Sequence, residues 1–140
     1  MRLVGCLIFV SATLHCFAQN DEKTRPDYLI RSIYFGGGSH YIDSLQRAEL
    51  YQFIDSIPHI ELYQMSIHSH TDNIGGADYN AWLSQMRSES VIDELLKKKI
   101  DPNSIVIRDF GQFNPVFDNS TPLGRQKNRR VDIIFWPLVL

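Results

Sequence analysis

The chain has 140 residues, with 14 Lys and Arg against 16 Asp and Glu, giving a formal net charge of −2. That length fits one domain rather than two. With 44% hydrophobic and 21% charged residues, the composition is that of an ordinary globular protein and excludes global disorder. The absence of a basic excess argues against a general nucleic-acid binder.

Residues 1–18 stand apart from the rest. Met1-Arg2 is a short positive start, and Leu3 to Leu14 is apolar apart from Gly5, Ser11 and Thr13. The run falls short of the roughly 20 residues needed to span a bilayer. Cys16 and Ala18 place small residues at −3 and −1 of a cut before Gln19. The layout predicts a signal peptide over 1–18, and therefore export. Cys6 ends a lipobox-like Leu3-Val4-Gly5-Cys6, but it lies too close to Met1 to have a hydrophobic stretch before it. Cleavage removes both cysteines, Cys6 and Cys16, and leaves 13 basic against 16 acidic residues. The mature chain is then expected to hold no disulfide, no thiol nucleophile and no cysteine metal site.

Residues 19–27 (QNDEKTRPD) are polar and read as a linker. Tyr28 to Phe35 is rich in aromatic and β-branched residues and stops at Gly36-Gly37-Gly38, which predicts a strand. Asp43 with Gln46 three residues on is a capping-box pattern. Leu50, Phe53, Ile54 and Ile57 then mark one helix face, with Pro58 as its stop. Glu61 to His70 alternates, with Tyr63, Met65, Ile67 and Ser69 on one side and Gln64, Ser66, His68 and His70 on a wetter one. Ala77 to Lys99 is the longest helical stretch, with a stripe of Val91, Ile92, Leu95 and Leu96. Ile105 to Phe110 is a short strand. Gln112 to Arg129 is an irregular segment with one helical turn around Gly124, and long loops of this kind are often functional. Val131 to Trp136 is the last strand, with Val131, Ile133 and Phe135 on one face. Two strand–helix–strand units favour parallel pairing. Two helices suffice for only one side of a sheet, which predicts a two-layer α/β fold.

Four places could carry chemistry. His68 and His70 point to one side of a strand and Asp72 follows, a triad that could hold zinc, although strand alternation alone explains the pair. Asp72 lies just past the carboxyl end of a strand that feeds a helix, where ligands bind in open α/β sheets; a turn or cap aspartate is the plainer explanation. Arg87 falls in an otherwise apolar row, Leu83, Arg87, Val91, Leu95. Arginine is seldom buried unless paired, so Arg87 is either in a structural salt bridge or a fork for a ligand carboxylate. The basic run Gly124-Arg125-Gln126-Lys127-Asn128-Arg129-Arg130 is most simply a solvated face. The glycines at 36–38 lack the Lys-Ser/Thr of a phosphate loop.

The stretch Thr71-Asp72-Asn73-Ile74-Gly75-Gly76-Ala77-Asp78-Tyr79-Asn80-Ala81-Trp82-Leu83-Ser84-Gln85-Met86-Arg87 resembles the central signature of OmpA-like domains, TD-x-x-G followed by Y-N-x-x-L-S-x-x-R. Gly111, Pro115, Asn119, Thr121, Gly124-Arg125 and Asn128-Arg129-Arg130-Val131 are similar to the family's second block. The resemblance covers residues 28–137, nearly the whole mature chain.

The resemblance implies a four-stranded mixed sheet with two helices on one face, in the order β-α-β-α-β-(loop or short helix)-β, the last strand antiparallel. It implies a non-catalytic domain that grips peptidoglycan at diaminopimelate, in the periplasm beside the cell wall and outer membrane; no cofactor is expected, and no metal, since strand alternation accounts for His68 and His70. Asp72 matches the aspartate that meets the ligand's ammonium, and Arg87 the arginine that meets its carboxylate. Thr71, Asn80, Leu83, Arg129 and Arg130 match further positions of the same site. Ser69 stands where the family often has glycine, and Ser88 where it often has alanine. Gly36-Gly37-Gly38-Ser39 lacks the acidic or amide side chain common after the first strand, which removes a side-chain contact there. Outer-membrane proteins and a second copy of the chain are open as further partners; nucleic acid is not expected. Two rival readings are an OmpA-like interaction subunit that binds a membrane protein, and a histidine-dependent metalloenzyme.

Overall fold

The fold is that of a computed structural model, which describes residues 28–138. The expected signal peptide, the linker and Cys6 lie outside the described residues. The elements run β1 (Leu29–Tyr34), α1 (Ser44–Asp55), β2 (Tyr63–His70), α2 (Ala77–Lys97), β3 (Ile105–Gly111), α3 (Pro122–Asn128) and β4 (Arg130–Pro137), with 3-10 turns at Ile60–Leu62 and Pro102–Ser104. The sheet order is β1-β4-β2-β3. β4 is antiparallel to both β1 and β2, and β2 pairs parallel with β3. The last strand is therefore antiparallel, as the resemblance implies. The first strand–helix–strand unit does not pair its own strands, because β4 inserts between β1 and β2.

Alternation decides which side chains enter the core. Met65 and Ile67 of β2 lie beside Val131, Ile133 and Phe135 of β4 and Ile33 of β1, all buried. Leu50 and Ile54 of α1 and Val91 and Leu95 of α2 close over this face. Burying each such side chain contributes roughly 1.5–3 kcal/mol. Two expectations need correction. Leu96 is exposed, so the α2 stripe is narrower than the sequence pattern. α1 ends at Asp55, capped by Ser56, a turn before Pro58.

The helix ends are built locally. Asp43 caps α1 by accepting from the backbone N–H of Gln46 at 2.9 Å. Gln46 departs from a capping box: its side chain donates to Asp43 Oδ2 and to the carbonyl of Tyr34, and accepts from the Tyr34 N–H, which fastens α1 to β1. Glu94, nearly buried on α2, accepts from the Tyr51 hydroxyl at 2.5 Å and pairs with Arg47 and Lys97. Burial opposes its charge, yet these partners hold its pKa below the ordinary carboxylate value.

Among the described residues the other face of the sheet carries no helix. His70 sits there, stacked on Phe110 with ring centroids 5.0 Å apart, near Arg130 and Asp132. Burial, reinforced by Arg130, pulls its pKa down to about 4. Among the described residues no group of three His, Cys, Asp or Glu side chains is arranged to hold a metal ion. No described helix is long and apolar enough to cross a membrane.

Candidate functional site

β2 ends at His70, and the chain turns through Thr71 and Asp72 before α2 begins at Ala77. Thr71 continues the β3 pairing, its N–H donating to the carbonyl of Gly111 at 2.8 Å. Asp72 is almost fully buried. Its Oδ1 accepts from the Ile74 N–H at 3.1 Å, an Asx turn that shapes the loop. Its Oδ2 accepts from Arg129 Nη1 at 3.0 Å. The turn and the ion pair act on the same carboxylate.

Arg87 lies on the third turn of α2 and is fully buried. The side chain reaches back to the end of β2 and to the loop after β1. Nη1 donates to the carbonyl of His70 at 2.9 Å, Nε to that of Ser39 at 2.9 Å and Nη2 to that of Gly36 at 3.0 Å. The guanidinium also lies over the Phe35 ring, 5.0 Å from its centroid. It is thus neither in a salt bridge nor a bare fork: three backbone carbonyls hold it. Burial lowers its pKa to about 10, while the nearby Asp72 charge pulls the other way. Of the five guanidinium N–H groups, two are left over after these bonds.

The glycine run after β1 therefore takes part through its backbone. Gly36 and Ser39 supply carbonyls to Arg87, a role that no side chain in that run could signal. Asn80, buried, donates to the carbonyl of Ile74 and to Gln112 Oε1 at 2.8 Å, tying the Asp72 loop to the segment after β3. Leu83 is buried in the row below Arg87. Ser84 receives the Gly111 N–H, and Ser88 donates to Asp109 Oδ1 at 2.5 Å, so α2 is bonded to β3 at two points.

Arg129 and Arg130 part company. They are consecutive, and residues of an extended chain alternate in direction. Arg129 meets Asp72 and also bonds Phe35, its Nε donating to the carbonyl at 3.1 Å. Arg130 turns to the helix-free face, pairs with Asp132 at 3.0 Å and does not reach Asp72. The rest of the second block is scaffolding for Arg129. Thr121 caps α3 through the Gly124 N–H. A Cβ on Gly124 would fall 1.8 Å from the Asp118 carbonyl oxygen, so only glycine fits. Asn128, fully buried, exchanges two hydrogen bonds with the backbone of Phe117 and donates to Asn119 Oδ1. Phe35, Gln112 and Asn128 escaped the sequence reading of the site. Only Asn128 carried a signal, as a motif position.

A buried carboxylate and a buried guanidinium thus lie at the carboxyl end of a central strand, on a two-layer α/β scaffold. The sequence matches the OmpA family over residues 34–129, and the chain belongs to that family. Among curated relatives it is 39% identical over 74 residues to the probable lipoprotein YiaD of Escherichia coli, covering 53% of this chain and 34% of that protein. It is 38% identical over 71 residues to the peptidoglycan-binding protein ArfA of Mycobacterium tuberculosis, covering 51% of this chain and 22% of that one. The chain thus spans about a third or less of the length of these relatives. The peptidoglycan-associated lipoprotein of Burkholderia pseudomallei superposes with a TM-score of 0.69 at 26% identity, over 75% of this chain and 89% of that one.

Proposed function

We propose that this domain is a non-catalytic peptidoglycan-binding module that holds the zwitterionic end of diaminopimelate in the cell-wall stem peptide. Asp72 takes the ammonium and Arg87 the carboxylate, with Thr71, Asn80, Leu83 and Arg129 shaping their surroundings. The observation that carries the reading is the meeting of Asp72 and Arg87 at the end of β2, where Arg87 bonds the carbonyl two residues before Asp72. A zwitterion needs an anion and a planar cationic fork at fixed separation. The Asp72 carboxylate supplies the anion and Arg87 the cation through its two uncommitted N–H groups, and on this reading the surrounding loops move to admit the ligand, because Arg87 is fully buried. The relatives named for peptidoglycan support the ligand class, and the proposed setting is the periplasm, where the domain would tether or organise the envelope.

The test is co-sedimentation of the wild type and Asp72→Asn with purified peptidoglycan sacculi, with free diaminopimelate as competitor. The wild type should sediment and be released by the competitor; Asp72→Asn should stay in solution. Equal sedimentation of the two folded proteins overturns the reading, and the interaction-subunit alternative replaces it.

A further inference from the structure

Beside the candidate site, α2 carries two large aromatic side chains that the core does not use. Tyr79 and Trp82 are 45% and 49% exposed, with ring centroids 5.7 Å apart. His40, from the loop after β1, meets Trp82 edge-on at 6.4 Å. Large aromatic groups left in water on one helix face mark an interaction surface.

Tyr79 joins this surface to the site. Gly75 and Gly38 both have positive φ, and a Cβ on either would come within 3.3 Å of the Tyr79 side chain. The ring therefore lies against the Asp72 loop on one side and, on the other, the loop whose carbonyls hold Arg87. At the other end His40 lines a cleft of about 230 Å³ whose walls include Tyr41, Ser90 and Asp93, together with Arg47 and Lys97, whose charges are paired with Glu94. Tyr79, Trp82, Ser90 and Asp93 follow helical spacing along one face of α2. At 1.5 Å per residue the stripe is ~21 Å long.

We propose that this stripe binds the glycan strand of peptidoglycan, with Tyr79 and Trp82 stacking on a pyranose ring and the polar cleft receiving hydroxyl and acetamido groups of the next sugar. The inference rests on the peptidoglycan reading above. A pyranose presents C–H groups on its faces and polar groups at its rim. The electron-rich faces of Tyr and Trp attract the C–H groups, and the Tyr hydroxyl serves the rim. An uncharged, amphipathic ring matches this stripe, whereas an ionic ligand finds its partners at Asp72 and Arg87. Continuity of the two surfaces through Tyr79 suits a ligand that is peptide at one end and sugar at the other.

The test compares three soluble probes on the full chain by calorimetry: a diaminopimelate-containing stem peptide, the same peptide on its disaccharide, and an oligomer of β-1,4-linked N-acetylglucosamine. The disaccharide should tighten binding about three- to tenfold over the peptide alone. Trp82→Ala should erase that gain and leave the peptide's affinity unchanged, Trp82→Phe should keep part of it, and the oligomer should bind the wild type weakly and Trp82→Ala not at all. No gain from the disaccharide, or a gain that survives in Trp82→Ala, overturns the platform while leaving the diaminopimelate site standing; the stripe is then a protein-docking surface. Sugar-dependent binding through Trp82 with no binding of the peptide overturns the diaminopimelate reading and upholds the platform. Failure of all three probes overturns both.

Discussion

Arg129 reaches Asp72 across 57 residues of sequence and places Nη1 3.0 Å from Oδ2. The contact joins the last connection of the chain to the loop after β2. It also leaves the carboxylate only partly engaged, since an ionised carboxylate offers about four acceptor positions and here two are filled. Asp72 is thereby held in one orientation without being closed to a second cation.

Asp72→Asn removes the anion while keeping the size of the side chain and its turn contact. An asparagine oxygen still accepts from the Ile74 N–H, so the loop should keep its shape. The charge is gone, and a charge-assisted bond is worth roughly 1.5–3 kcal/mol. Peptidoglycan affinity should fall about ten- to a hundredfold, and the melting temperature should fall too, because Arg129 loses its anion and faces an amide NH2 instead; circular dichroism at the assay temperature checks that the variant stays folded.

Arg87 will not give so clean an answer. Its three donors satisfy two carbonyls of the loop after β1 and one at the end of β2, and Arg87→Ala leaves all three without partners. The loss should exceed ~3 kcal/mol, or more than ~12 °C in melting temperature. Arg87→Lys should fare nearly as badly, because one ammonium cannot span three carbonyls. Differential scanning calorimetry of both variants checks this; a melting point like that of the wild type would show that the carbonyls do not depend on the guanidinium.

Asn128→Ala should act on the site from a distance. It removes three hydrogen bonds that hold the 117–119 segment to α3. Arg129 would then lose its support, and Asp72 its inner partner. The expected result is a stability loss of about 2–4 kcal/mol by denaturant titration together with weakened sedimentation. Gly124→Ala should be worse, since a backbone carbonyl occupies the space of the new methyl group.

His70 gives the domain a directed pH dependence. An unfolded histidine takes its proton near pH 6.5, but the folded one resists until about pH 4. Between those values the unfolded chain binds more protons, so stability is lost as pH falls. Arg130 works against protonation and Asp132 for it, and His68, its own pKa also lowered by burial, adds to the trend. His70→Phe keeps the stacking on Phe110 without a titrating group. Denaturation at pH 7 and pH 4.5 should show the wild type losing about 2 kcal/mol more than the variant. Equal losses would exclude His70 as the source.

Much of this was legible in the sequence because it rests on local period. The alternation of Val131, Ile133 and Phe135 names their face whichever strand they pair with, and Asp43 with Gln46 names a helix start without tertiary information. Asp72 and Arg87 were readable as motif positions. What could not be read was who holds Arg87: carbonyl groups carry no side-chain identity, so Gly36 and Ser39 leave no trace in the pattern of residue types. The separation of Arg129 from Arg130 was equally hidden, because it depends on where β4 begins. The insertion of β4 between β1 and β2 was invisible to pairing rules, which rank neighbours in sequence first.

That insertion sets the order in which the domain can come together. Of the described strands β1 comes first in the sequence, yet its neighbour in the sheet is β4, with Leu29 opposite Phe135 and Tyr34 opposite Arg130. Among the described residues, without 130–137 β1 has no strand beside it, and β2 has only β3. A chain halted before Arg130 is therefore not a shorter version of the domain but two unjoined pieces, each with exposed strand edges open to aggregation. The segment that joins β1 to β2 by inserting β4 also carries Arg129 to Asp72, so sheet closure and the buried ion pair depend on the same stretch of chain.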